Sequence, residues 1–176
     1  MKKFALLTIT LFSLFLISGF TVEITAQNKF VGVKSCAPCH KGEKGGMIHE
    51  NWLKTKHADA YKTLLNEQSK EIAKKLGLKK PPHEADECLM CHATGYFKGE
   101  QRMPSNKKED GVTCEACHGA GSAYRTSHGK GKKEEGIKKG LVRGTNDPKR
   151  CTNCHNSDSP TYKGFNYKKD WEKIKH

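Results

Sequence analysis

Every one of the eight cysteines in this chain belongs to a copy of the same five-residue pattern. The copies are Cys36-Ala-Pro-Cys39-His40, Cys88-Leu-Met-Cys91-His92, Cys114-Glu-Ala-Cys117-His118 and Cys151-Thr-Asn-Cys154-His155. No thiol is left over for a disulfide. Cys-x-x-Cys by itself is shared by zinc ribbons, thioredoxin-like redox sites and c-type haem attachment. A zinc ribbon uses such pairs but has no need of a histidine after each one. A thioredoxin-like site needs one pair in a βαβ setting. Haem attachment needs the whole pattern: two thiols add to two vinyl groups, and the next residue reaches the iron from the same side. Four copies without a stray cysteine imply four covalently bound haem c groups rather than structural zinc.

The first residues agree with that chemistry. Lys2 and Lys3 precede a run from Phe4 to Phe20 that is nearly all apolar, and the small residues Thr25 and Ala26 follow. This reads as a secretory signal peptide over residues 1–26, cleaved after Ala26. The alternative is an uncleaved anchor, because the apolar run approaches the length that spans a bilayer. No cysteine follows the run, which argues against a lipoprotein. Export implies a periplasmic or extracellular location, where haem c is attached in bacteria, and argues against a cytosolic zinc or thioredoxin role.

Residues 27–176 then hold four haems in 150 residues. Only 35% of the full chain is hydrophobic, and part of that is the leader. Such a chain makes a thin apolar core unaided, and four porphyrins supply the missing apolar surface. The expected fold is mainly α with extensive loops and little or no sheet, a multihaem cytochrome c arrangement around four closely packed haems. The intervals between the attachment histidines are 52, 26 and 37 residues, without a fixed period, so one domain is expected rather than a solenoid.

The formal charge is +13 for the whole chain, and loss of Lys2, Lys3 and Glu23 with the leader leaves +12. Four ferric haems with ionised propionates, about −1 each, bring the holoprotein nearer to about +8. Some lysines and arginines thus serve as counter-ions to propionates. The rest would steer the protein toward redox partners with acidic docking surfaces or toward an anionic membrane surface. Nucleic acid is not an expected partner, since an exported haem protein has little access to it.

Along the chain, "HENWLKTKHADAYKTLLNEQSKEIAKKLG" reads as helix, with His49, Leu53, His57 and Tyr61 on one face. A break near Asn66 or Ser69 divides it in two, and Gly77 with Pro81-Pro82 ends it. "ATGYFKGEQRMPSNKKEDG" reads as loop. The basic, glycine-rich stretch from Gly119 to Arg150 would be a flexible linker elsewhere but here wraps two haem sites. "YKKDWEKIKH" forms a short closing helix. Gly119 and Gly121 are expected to let the backbone pass close to a porphyrin edge, and Trp52, Tyr96, Phe97 and Tyr124 to pack on haem faces or in the core.

The attachment histidines His40, His92, His118 and His155 supply one axial ligand each. Five others remain for the opposite faces: His49, His57, His83, His128 and His176. Methionine ligation would raise the potential, but apart from the initiator only Met47, Met90 and Met103 exist. Bis-histidine coordination is therefore expected. His49 and His57 are two helical turns apart, about 12 Å, so they cannot share an iron. His83 lies five residues before Cys88 and would have to loop round its own haem.

The segments "CAPCHKGE…NWLKTKHADAY", "ECLMCHATGY", "GVTCEACHGAGSAYRTSH" and "CTNCH" resemble the tetrahaem cytochrome c-554 family, known as electron acceptors of hydroxylamine oxidoreductase in ammonia oxidisers. The resemblance covers nearly the whole mature chain. It implies His57 opposite His118, His128 opposite His40 and His176 opposite His155. It also implies a five-coordinate second haem, with an open face opposite His92. The chain departs from the family pattern in five extra residues between His40 and His57, and in ending at His176 without a long tail. His49 and His83 are additional histidines that could close the second haem.

Four haems in so short a chain must lie nearly edge to edge, which suits electron hopping. The expectation is an exported electron carrier, not an enzyme, relaying electrons between an oxidoreductase and a membrane or terminal acceptor. Two alternatives stand beside it: a reductase of nitric oxide or a similar small molecule at an open second haem, and a protomer of a cytochrome filament. The carrier is expected as a monomer or homo-oligomer.

Overall fold

The computed structural model describes residues 27–129, 131–143 and 148–176. The signal peptide read over residues 1–26 lies outside them. Short α-helices follow one another along the chain: α1 (Ala37–His40), α2 (Ile48–Leu53), α3 (Glu67–Lys75), α4 (Asp86–His92), α5 (Cys114–His118), α6 (Lys133–Lys138), α7 (Pro148–Thr152) and α8 (Tyr167–Trp171). Single 3₁₀ turns and long loops join them. Even α3, with nine residues, is shorter than a helix that stands alone in water. Tertiary contacts and the bound groups must hold these helices in place.

Sheet is absent among the described residues, apart from one isolated parallel bridge between Phe30 and Arg102. There the N-terminal segment runs beside the loop 101–105. Phe30 N donates to Gln101 O at 2.9 Å, Met103 N donates to Phe30 O at 2.8 Å, and Ser105 Oγ donates to Val31 O at 2.8 Å. A small apolar cluster of Tyr61, Leu64, Leu89 and Ala93, with Cys88 and Tyr96 against it, packs the 3₁₀ turn Lys62–Leu65 onto α4. That cluster seats the second attachment motif.

The long helix expected from residue 49 onward is interrupted twice. Asn66 makes the break that divides it: its side chain caps α3 by accepting from Ser69 N at 2.8 Å. Gly77, at φ 66°, ends α3 with Leu78 N donating back to Ala73 O. The earlier part differs from expectation. Helix α2 stops at Leu53, and residues 54–61 run as successive turns. The reason is tertiary. His57 O accepts Val112 N at 2.9 Å, Trp52 Nε1 donates to Val112 O at 2.9 Å, and Ala60 N also turns back to His57 O. Gly111 allows this approach, since a Cβ there would stand 2.7 Å from His57 O. The docked 111–112 backbone draws His57 O out of a helical ladder, so His49, Leu53, His57 and Tyr61 do not share one helical face.

The described residues of the basic stretch after Gly119 pack around α6. Gly136 packs so tightly on His128 that a Cβ would lie 2.6 Å from the His128 Cβ. Helix α8 closes the fold, with Asn166 capping it through Lys169 N at 3.1 Å and Tyr167 stacked on Trp171.

Candidate functional site

Each attachment motif occupies a helical turn. His40 N donates to Cys36 O at 3.2 Å, and His155 N donates to Cys151 O at 2.9 Å. Helices α4 and α5 contain the second and third motifs whole. In such a turn, residues i, i+3 and i+4 lie on one side, so two thiols and one imidazole present together. Seven of the eight thiols are half-buried, and Cys39 is exposed.

Different motifs also meet one another. The Cys36 and Cys114 thiols lie near enough to interact electrostatically, as do those of Cys91 and Cys154. Cys117 and Cys151 are near enough to interact electrostatically.

Three pairs of imidazoles face each other. His40 and His128 stack with ring centroids 5.7 Å apart and planes 13° from parallel, their Nε2 atoms separated by 3.4 Å. His57 and His155 stand 6.1 Å apart at 62°, and His118 and His176 stand 6.1 Å apart at 59°. An imidazole nitrogen sits about 2 Å from a first-row metal, so two of them on opposite sides of one iron are about 4 Å apart. The His40–His128 separation falls close to that value. This pairing differs in part from the one the family resemblance implies. His128 does face His40, but His57 faces His155 rather than His118, and His176 faces His118 rather than His155.

Backbone carbonyls prepare three of these rings, and that of His92, for metal. His92 Nδ1 lies 2.7 Å from Ala60 O, His118 Nδ1 3.0 Å from Val142 O, His128 Nδ1 2.9 Å from Tyr124 O, and His176 Nδ1 3.1 Å from Ile174 O. A carbonyl can only accept, so each Nδ1 carries the hydrogen and each Nε2 keeps its lone pair for a metal. Burial is the main cause holding the His40, His57 and His118 imidazoles below their ordinary value. Neighbouring imidazoles add to it, while the Val142 carbonyl opposes it at His118. The neutral form favoured in this way is the ligating form. Paired rings, free Nε2 atoms and thiols in register fit haem c.

The two remaining histidines are engaged elsewhere. His49 packs on Trp52 with centroids 5.6 Å apart, and His83 Nε2 lies 3.6 Å from Glu84 Oε1. Among the described residues no second imidazole makes a ring contact with His92.

Other residues expected near a haem or in the core make contacts with protein atoms. Tyr124 is buried, donates from its hydroxyl to Gly119 O at 2.8 Å, and sets its ring edge-on to His128. Tyr96 lies under the Arg102 guanidinium at 4.0 Å. Gly119 and Gly121 are required by protein atoms: a Cβ would meet Gly140 O at 2.9 Å in one case and Glu115 Oε1 at 2.9 Å in the other. Two residues escaped the sequence reading. Phe165 stacks on His155 with centroids 5.0 Å apart, and Glu115, inside the third motif, is 1% exposed. An acid in the variable middle of a motif, followed by Gly119 and Gly121, was the available signal for Glu115.

The family profile described as cytochrome c554 and c-prime matches residues 35–119, which take in the first three motifs. The chain is 32% identical over 158 residues to cytochrome c-554 of Nitrosomonas europaea, covering 81% of this chain and 64% of that protein. The fold is similar to that of the reduced state of cytochrome c554 from the same organism, with a TM-score of 0.53, 29% identity, and coverage of 84% of this chain and 79% of that one.

The chain belongs to the cytochrome c-554 family. Its cofactors are four covalently attached c-type haems, as in that family, and the eight cysteines are present to hold them. The chain spans 64% of the length of its curated cytochrome c-554 relative.

Proposed function

We propose that this cytochrome is an exported electron carrier that relays electrons between an oxidoreductase and a membrane or terminal acceptor. The observation that carries this reading is the set of three facing imidazole pairs, His40–His128, His57–His155 and His118–His176. When bound, the haems supply one-electron exchange between ferric and ferrous iron. Two imidazoles on one iron leave no face for substrate, so the chain's work is to hold ligands, exclude water and set potential. Val142, Tyr124 and Ile174 fix ring tautomers through their carbonyls. The thioether positions run in the order first, third, fourth, second motif, through Cys36–Cys114, Cys117–Cys151 and Cys154–Cys91. That order supports a single electron path in which the first and second motifs are the two ends.

The basic surface suits redox partners with acidic docking faces and an anionic membrane surface. A periplasmic location rests on the leader sequence. Among the described residues no helix is long and apolar enough to cross a membrane.

A second reading is favoured by one observation. His92 has its Nδ1 tied to Ala60 O, while His49 and His83 are engaged with Trp52 and Glu84. An open face opposite His92 would admit a small ligand such as nitric oxide, adding a reductase activity to the carrier.

Intact mass tests the primary reading: a chain beginning near Gln27 with four haems attached, taking up four electrons in a redox titration. Bound zinc in place of haem would overturn it.

A further inference from the structure

The middle of the third motif holds a buried carboxylate. Glu115 is 1% exposed and accepts four hydrogen bonds, all from backbone amides. Oε1 accepts Val31 N at 2.9 Å and Gly121 N at 2.7 Å. Oε2 accepts Val31 N at 3.1 Å and Gly32 N at 2.7 Å. Both oxygens thus face N–H donors. A protonated carboxyl would point its own O–H at a donor, whereas the carboxylate, which only accepts, satisfies every contact. The hydrogen-bond geometry therefore calls for an anion, even though burial opposes it.

The position of this anion is as specific as its charge. It adjoins Cys114 in sequence, and through Val31 and Gly32 it grips the segment that leads into Cys36. The Cys36 and Cys114 thiols are near enough to interact with each other and with the Glu115 carboxylate. We propose that Glu115 is a built-in anion, cradled by the amides of Val31, Gly32 and Gly121, that lowers the reduction potentials of the first and third haems together. The ferric state of each haem carries one more positive charge than the ferrous state. A fixed negative charge nearby, in a low-dielectric interior, stabilises the ferric state preferentially. Glu115 is in this sense a positioning and tuning residue: it joins the first and third motifs mechanically and biases both haems in the same direction.

The inference rests on haem attachment at the first and third motifs, so each variant is first checked by intact mass for four haems. Glu115→Gln removes the charge at nearly constant size, and its amide nitrogen must then face a backbone donor. Spectroelectrochemistry on the holoprotein should show two of the four potentials shifted upward and the other two unmoved. Gly121→Ala is the contrasting variant. Its Cβ would stand 2.9 Å from Glu115 Oε1 and 3.2 Å from Val31 Cγ2, so it disturbs the cradle and keeps the charge. It should lower thermal stability while both potentials stay low. Four unmoved potentials in a four-haem E115Q, or the same upward shift in both variants, would overturn the proposal and leave the tetrahaem reading standing. If E115Q does not mature with four haems, the wild-type holoprotein decides. With ¹³C-labelled glutamate, infrared difference spectra on reduction should show a perturbed carboxylate band. A protonated buried glutamate band at mildly alkaline pH would overturn the proposal.

Discussion

The rings of His40 and His128, 88 positions apart in the chain, stack 5.7 Å apart with their Nε2 atoms 3.4 Å from each other. His128 is held there from behind: its Nδ1 is tied to Tyr124 O, Tyr124 meets it edge-on, and Gly136 presses on its Cβ. A ring so fixed should be a ligand to the first haem. His128→Ala should convert one low-spin ferric haem to high-spin while intact mass still shows four haems, because the thioether links do not depend on the distal side. An unchanged spectrum would remove His128 from the ligand set.

The partner of His57 separates the observed pairing from the one the family resemblance implies. His155, which faces His57, is stacked on Phe165, whereas His118 is tied to Val142. In ferric NMR spectra, His57→Ala should move the Phe165 side-chain resonances and leave those of Val142 in place. The opposite pattern would assign His57 to the third haem.

The helical turns of the four motifs could be read from the sequence because their chemistry is local: two thiols and an imidazole within one turn need only five residues. The break at Asn66 could be read for the same reason, since a cap acts over three residues. The conformation around His57 could not. Its carbonyl is taken by Val112, 55 residues onward, and helical periodicity carries no information about that contact. The pairing of the C-terminal His176 with His118 is equally non-local. Glu115 was hidden differently, because its three partners are backbone amides, which leave no mark in side-chain composition.

Access to the second haem gives a third prediction. Cyanide or nitric oxide should bind one iron per protein readily, and His49→Ala and His83→Ala should leave that binding unchanged. Ligand binding that appears only in one of these variants would identify that residue as the one closing the site.

Helix α3 offers a purely structural test. Asn66→Ala removes the cap on Ser69 N and should lower stability by about 1 kcal/mol, seen as an earlier denaturant midpoint, while Asn66→Asp should retain most of it. The haem spectrum should not change, since neither Asn66 nor Ser69 contacts a paired histidine. A spectral change would mean that α3 supports a haem directly.

The arrangement of three facing imidazole pairs with a lone His92 is tested most directly by counting iron spin states in the oxidised holoprotein. Mössbauer and EPR spectra of the iron-57-enriched protein should give three low-spin ferric irons for each high-spin one. Four low-spin irons would contradict the open second site, and two or more high-spin irons would contradict the imidazole pairs themselves.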